Sequence, residues 1–191
     1  MNHAQSQYLP RFFVKQRFTM LVNRYEIVEA NPDGSEGRML GVAQQKRMAM
    51  REQVTFYSDD TKSQPLFGFK ARQMMDLGAI YDVTAADGAP LGAFQKDFGA
   101  SLMRSSFHLF GPDLEAYGRE RSSTTAILRR VIDFPFSFHF DFTDKATGAP
   151  VLTSERQFSL RDKYTVTVPD QRVDFRLAAS VAVGLDALLQ R

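Results

Sequence analysis

The stretch DQRVDFRLAASVAVGLDALLQR, running from Asp170 to Arg191, decides the fold. Between Arg176 and Asp186 it carries no charge, and from Leu177 to Leu185 its one polar side chain is Ser180, so at helical spacing it is apolar on every side. A helix apolar all round must be buried. The uncharged run falls far short of the roughly 20 apolar residues that span a bilayer, so the burying medium is protein. The pattern predicts a central helix over about 171–190, with Asp170 or Asp174 as its N-terminal cap after Pro169.

What surrounds that helix must be strands, because everything upstream reads as hairpins. An apolar-aromatic run meets a turn rich in Asp, Gly, Asn or Pro, then a second run that ends in basic residues. The unit recurs as YEIVEANPDGSEGRMLGVAQQKR from Tyr25, VTFYSDDTKSQPLFGFKAR from Val54, IYDVTAADGAPLGAFQKD from Ile80, SFHLFGPDLEAYGRER from Ser106 and FSFHFDFTDKATGAPVLTSER from Phe136. The last gives the cleanest period: Phe136, Phe138, Phe140 and Phe142 share one face, and Ser137, His139, Asp141 and Thr143 the other. Tyr164, Val166 and Val168 alternate with Lys163, Thr165 and Thr167 in the final strand.

With a strand near Phe12 to Phe18 and another at Tyr164, the total is about twelve, and a sheet of that size with one wet face removes its edges by closing. Twelve strands ~4.8 Å apart and tilted ~40° enclose a barrel roughly 24 Å across, with room for one helix. The expected fold is therefore mainly β: a closed antiparallel barrel around a buried C-terminal helix. Residues 1–11 read as a polar N-terminal tail and 12–191 as a single domain.

Composition narrows the function classes. The 191 residues are 43% hydrophobic and 12% aromatic, enough for a sizeable core. The absence of cysteine excludes disulfides, thiolate metal sites, a cysteine nucleophile and palmitoyl anchors, and it suits a reducing compartment. A formal charge of +2 is too small to suggest nucleic acid as a partner. No HExxH, GxSxG or phosphate-cradling glycine loop occurs, and His3, His108 and His139 have no metal-ligand spacing, so neither an enzyme nor a cofactor is expected. The expected location is cytoplasmic.

The hairpin units and the ending RDKYTVTVPDQRVDFRLAASVAVGLDALL resemble the tubby-like barrels, and within them the LURP-one-related and phospholipid-scramblase-like proteins. The resemblance covers the chain from Phe12 onward. The specific part is the close, where Asp162 and Tyr164 lead through Pro169 to a helix bracketed by Asp174 and Asp186. It implies a twelve-stranded barrel around a buried C-terminal helix, the fold already reached from the pattern. Scramblases carry a proline-rich leader, a palmitoylated cysteine cluster and an acidic calcium-binding stretch. Here the first two are missing, and Arg161 and Lys163 flank Asp162 where a hard cation would need many oxygens. Tubby proteins bind phosphoinositide head groups through basic residues on the barrel wall, which suggests a non-catalytic binding module at the inner membrane face. The alternative is a scramblase-like membrane protein anchored by its terminal helix.

Candidate site residues follow from the hairpins. Lys46 and Arg47, Lys70 and Arg72, Lys96, Arg119 and Arg121, and Arg156 close the second strands and should gather at one barrel end. Such a rim could hold an anionic phospholipid head group or lie on a membrane surface, each cation contributing about 1 kcal/mol. Alternatively these residues only solubilise and guard strand ends, with Asp97, Glu120 and Glu155 neutralising them, and the partner is a protein. Asp186 is a carboxylate near the C-terminus of an enclosed helix, where the dipole disfavours it, so it needs a partner. Met48, Met50, Met74 and Met75 read as core or rim packing.

Overall fold

The structure, a computed structural model, describes residues 7–18, 23–45, 53–73, 78–97, 106–121, 139–157 and 163–189. His3, Lys46, Arg47, Met48, Met50, Met74, Met75, Phe136, Phe138, Arg161 and Asp162 lie outside them. The strands are β1 (Arg11–Phe18), β2 (Asn23–Ala30), β3 (Glu36–Gln45), β4 (Gln53–Tyr57), β5 (Pro65–Ala71) and β6 (Ile80–Ala85). They continue as β7 (Pro90–Asp97), β8 (Ser106–Gly111), β9 (Leu114–Glu120), β10 (His139–Asp144), β11 (Pro150–Gln157) and β12 (Lys163–Thr167), before the helix α1 (Phe175–Leu189). Each strand pairs antiparallel with its sequence neighbours, and β12 closes on β1 from Arg11↔Thr167 to Lys15↔Lys163.

Period-two alternation supplies the inner wall. Val54 and Phe56, Phe67 and Phe69, and Tyr81 and Val83 are buried while the residues between them face outward, and Phe12 and Val14 join the same inner wall. The helix fills the interior: Leu177, Ala178, Ala179, Val181, Ala182 and Val183 are all 1% exposed or less. Burying each larger side chain is worth about 1.5–3 kcal/mol, which is how a helix with no polar face becomes stabilising. Wall and helix meet at notches. A Cβ on Gly184 would lie 2.6 Å from Phe94 Cζ, so that ring occupies the space a side chain would need.

The turns joining β2 to β3, β4 to β5, β6 to β7, β8 to β9 and β10 to β11 all lie at one end of the barrel, here the turn end. Four of the five repeat one device, in which an aspartate Oδ1 accepts from the backbone N–H two residues on. Asp33 does so from Ser35 at 2.9 Å, Asp59 from Thr61 at 2.8 Å, Asp87 from Ala89 at 3.0 Å and Asp144 from Ala146 at 2.8 Å. Gly34, Gly88 and Gly148 take φ of 83°, 86° and 73°, the left-handed conformation these turns require.

Two expectations are corrected here. The helix starts at Phe175, not near residue 171, because Asp170 caps a turn of its own: its Oδ1 accepts from the Arg172 N–H at 2.9 Å. The helix cap is Asp174, whose Oδ1 accepts from the Arg176 N–H at 2.8 Å. Residues 7–10, expected within the polar tail, are instead docked across the helix start. Gln7 O accepts from the Phe175 N–H at 2.5 Å, and Pro10 O accepts from the Val168 N–H at 2.8 Å. The helix N-terminus leaves backbone N–H groups without intrahelical acceptors, and this segment satisfies one of them.

Candidate binding sites at the two ends of the barrel

Asp186 lies inside the barrel and is 2% exposed. Its Oδ2 accepts from the Tyr25 hydroxyl at 2.7 Å, and its Oδ1 accepts from the Tyr164 hydroxyl. Tyr25 stands opposite Gln16 and Tyr164 opposite Val14, so the two phenols come from the strands on either side of β1. The carboxylate therefore ties α1 across the seam where β1 meets β12. Two hydroxyl donors offset both the desolvation of the carboxylate and the unfavourable helix dipole.

The second strands of the hairpins bring their terminal cations to the end opposite the turns, but not to one face. Outward-pointing positions carry Lys70 in β5 and Arg72 just after it, and Arg119 in β9 and Arg121 just after it. Arg72 grips Asp82 through Nε at 3.0 Å and Nη2 at 2.5 Å, and Asp82 also stands across from Lys70. That pair lowers the Asp82 pKa and raises that of Arg72. Arg121 holds Asp141 through Nε at 2.8 Å and Nη2 at 2.6 Å, and reaches Glu155 at 2.8 Å. The Arg119 guanidinium lies 4.8 Å from the Tyr117 ring centroid.

Lys96 and Arg156, both half-buried, divide the expected rim of cations between two faces. Lys96 shares the face of Phe94 and stands opposite Phe107, both fully buried, and Arg156 shares the face of Ser154 opposite Tyr164. Both register positions belong to the inner wall. There they accompany Gln16, Glu120 and Ser154, which are 2–3% exposed, so the inner wall turns polar toward this end. The alternation that places Lys96 two residues after Phe94 is the sequence signal that distinguishes them from Lys70.

At the turn end the helix start builds the other candidate site. The Asp174 carboxylate accepts from Arg176 Nε at 2.9 Å, from Arg176 Nη2 at 2.7 Å and from the Gln7 N–H at 3.0 Å. This holds the Arg176 guanidinium, itself 6% exposed, above its ordinary pKa. Beside it opens a cavity of 630 Å³, walled by residues 7–9, 38–40, 64–67 and 85–87 together with Phe175 and Arg176. No local sequence feature marks it, since five separated segments make its wall.

A closed barrel of twelve antiparallel strands filled by its own C-terminal helix is the architecture of the tubby-like barrels. The chain belongs to the LURP-one-related family, whose model matches residues 39–186. That span runs from within β3 to the seam carboxylate, and the tubby-like superfamily is the context of the family. No curated protein matches the chain, and no solved structure does. Among the described residues no helix is long and apolar enough to cross a membrane. With α1 enclosed by the barrel, the reading in which it anchors a scramblase-like protein is not favoured.

Proposed function

We propose that this barrel is a non-catalytic module that docks end-on against an anionic lipid surface at the inner face of a membrane. The observation that carries the reading is the polarity of the fold: Lys70, Arg72, Arg119 and Arg121 point outward at the end opposite turns that carry Asp33, Asp59, Asp60, Asp87 and Asp113. A plane suits this arrangement better than a single head group. The two cation pairs sit four strands apart around the wall, so one small ligand would not bridge them, whereas a flat surface meets both. Partial neutralisation by Asp82, Asp141 and Glu155 makes the attraction modest and salt-dependent, with a Debye length of about 8 Å at physiological ionic strength.

Flotation with vesicles containing phosphatidylserine or phosphoinositide, against neutral phosphatidylcholine, tests the reading. Binding should appear on the anionic vesicles and fall as salt rises. Lys70→Gln with Arg72→Gln, losing about 1 kcal/mol per cation, should weaken it roughly tenfold or more. Lys62→Gln with Lys145→Gln, at the turn end, should leave it unchanged. Equal binding to neutral and anionic vesicles, indifferent to salt and to the first pair, would remove the lipid reading and leave a protein partner.

A further inference from the structure

The cavity at the turn end lies away from the basic strand ends, and its chemistry is different. Its volume of 630 Å³ falls within the roughly 300–1,000 Å³ of small-molecule sites. Its apolar wall comes from Leu40, Leu66, Phe67 and Phe175, with Met39 and Tyr8 beside them. Among the described residues the exposed large hydrophobic side chains are Tyr8, at 39%, and Met39, at 50%, and both belong to this wall. Exposed apolar groups gathered at one concavity, and not scattered over the surface, mark a place where something apolar binds.

The polar part of the wall sets the sign of the ligand. Arg38 donates through Nε to Glu29 Oε2 at 2.9 Å, and Arg176 is held bidentately by Asp174. Each arginine thus has its own carboxylate. Asp87, in the wall itself, adds a third carboxylate, close enough to act on Arg176 as well, and the neighbouring turns carry Asp33, Asp59 and Asp60, of which Asp60 is paired with Arg24, so carboxylates still outnumber the arginines here. An anionic head group would be repelled, whereas a cation would be matched by Asp87, and Phe, Tyr and Met side chains accommodate an alkyl chain bearing such a group.

We propose that this cavity binds a small amphipathic amine, its chain among Leu40, Leu66, Phe67 and Phe175 and its ammonium group at Asp87. The inference is independent of the membrane reading, because it concerns the opposite end of the barrel.

Calorimetric titration of the full chain with dodecylammonium, dodecanol and dodecanoate, all below their aggregation concentrations, tests it. Saturable binding should follow the order ammonium, alcohol, carboxylate. Asp87→Asn should weaken dodecylammonium about tenfold and leave dodecanol unchanged. The chain contains no tryptophan, so Met39→Trp gives a reporter confined to this wall, and its emission should shift blue on binding. Leu66→Trp, which fills the cavity, should abolish binding of all three. Four results would each overturn the proposal: no saturable binding to the parent, dodecanoate binding as tightly as dodecylammonium, indifference to Asp87→Asn, or heat of binding with no response from the Met39→Trp reporter.

Discussion

Replacing Asp186 by alanine should damage this barrel more than the hydrogen bonds from Tyr25 and Tyr164 by themselves suggest. The carboxylate accepts from Tyr25 and Tyr164, partners 161 and 22 residues away in sequence, and is 2% exposed. Removing it leaves two phenolic hydroxyls without this acceptor, in a wall that water does not reach. Each buried hydroxyl that loses this acceptor costs ~1–3 kcal/mol, so Asp186→Ala should lose about 2–6 kcal/mol, a large part of the 5–15 kcal/mol typical of a domain. At about 2–4 °C per kcal/mol for a chain of this size, the melting temperature should fall by roughly 4–24 °C. Asp186→Asn keeps one acceptor oxygen and gains an amide donor, so it should lose less. Thermal and urea unfolding followed by far-ultraviolet dichroism measure this directly. Tyr25→Phe and Tyr164→Phe, each combined with Asp186→Ala, should show coupling, because removing a hydroxyl whose acceptor is already gone relieves the penalty. An alanine variant that unfolds with the parent, or double variants whose losses simply add, would refute the account of the seam.

Gly184→Ala should lower the melting temperature although alanine is the better helix former. The propensity gain is ~1 kcal/mol, whereas a Cβ placed 2.6 Å from Phe94 Cζ forces overpacking that costs about 1–3 kcal/mol; a rise in melting temperature would contradict the notch. Acid should weaken the ion pair between Asp144 and Arg172. The Arg172 guanidinium, with the Thr147 and Ala146 N–H groups, lowers the Asp144 pKa from 3.8 to about 2. A carboxyl depressed on folding contributes stability that is present above its unfolded value and is lost as pH falls from there through about 2. The difference in melting temperature between the parent and Arg172→Gln should therefore be steady near neutral pH and close as pH approaches 2. A difference that persists undiminished at that pH would show that Arg172 acts by packing.

The barrel and its plug were legible because both rest on local periodicity. The alternation of Phe140 and Phe142 with Asp141 and Thr143 declares a one-sided strand, the aspartate turns declare hairpins, and an uncharged run from Leu177 to Leu185 declares a helix that must be enclosed. Closure follows, since a long row of half-buried strands has no other way to lose its edges. Even the need of Asp186 for a partner was readable from its place in that helix, although the identity of the partner was not. Tyr25 and Tyr164 meet it only because β1 lies between their strands and closes on β12, a relation between residues over a hundred positions apart. The same holds at each end. Lys96 and Lys70 occupy equivalent places in their hairpins, yet strand register turns one into the wall and the other toward solvent, dividing the expected rim. Asp170 and Asp174 compete for the cap on equal sequence terms, and the docking of Gln7 over the helix start accompanies the choice of Asp174. The cavity beside Arg176 draws its wall from five segments that no spacing connects, so its shape and the sign of its charge exist only once the chain has closed on itself. Local pattern depends on near neighbours in sequence, whereas a site depends on which distant side chains share one volume, and that is decided by packing.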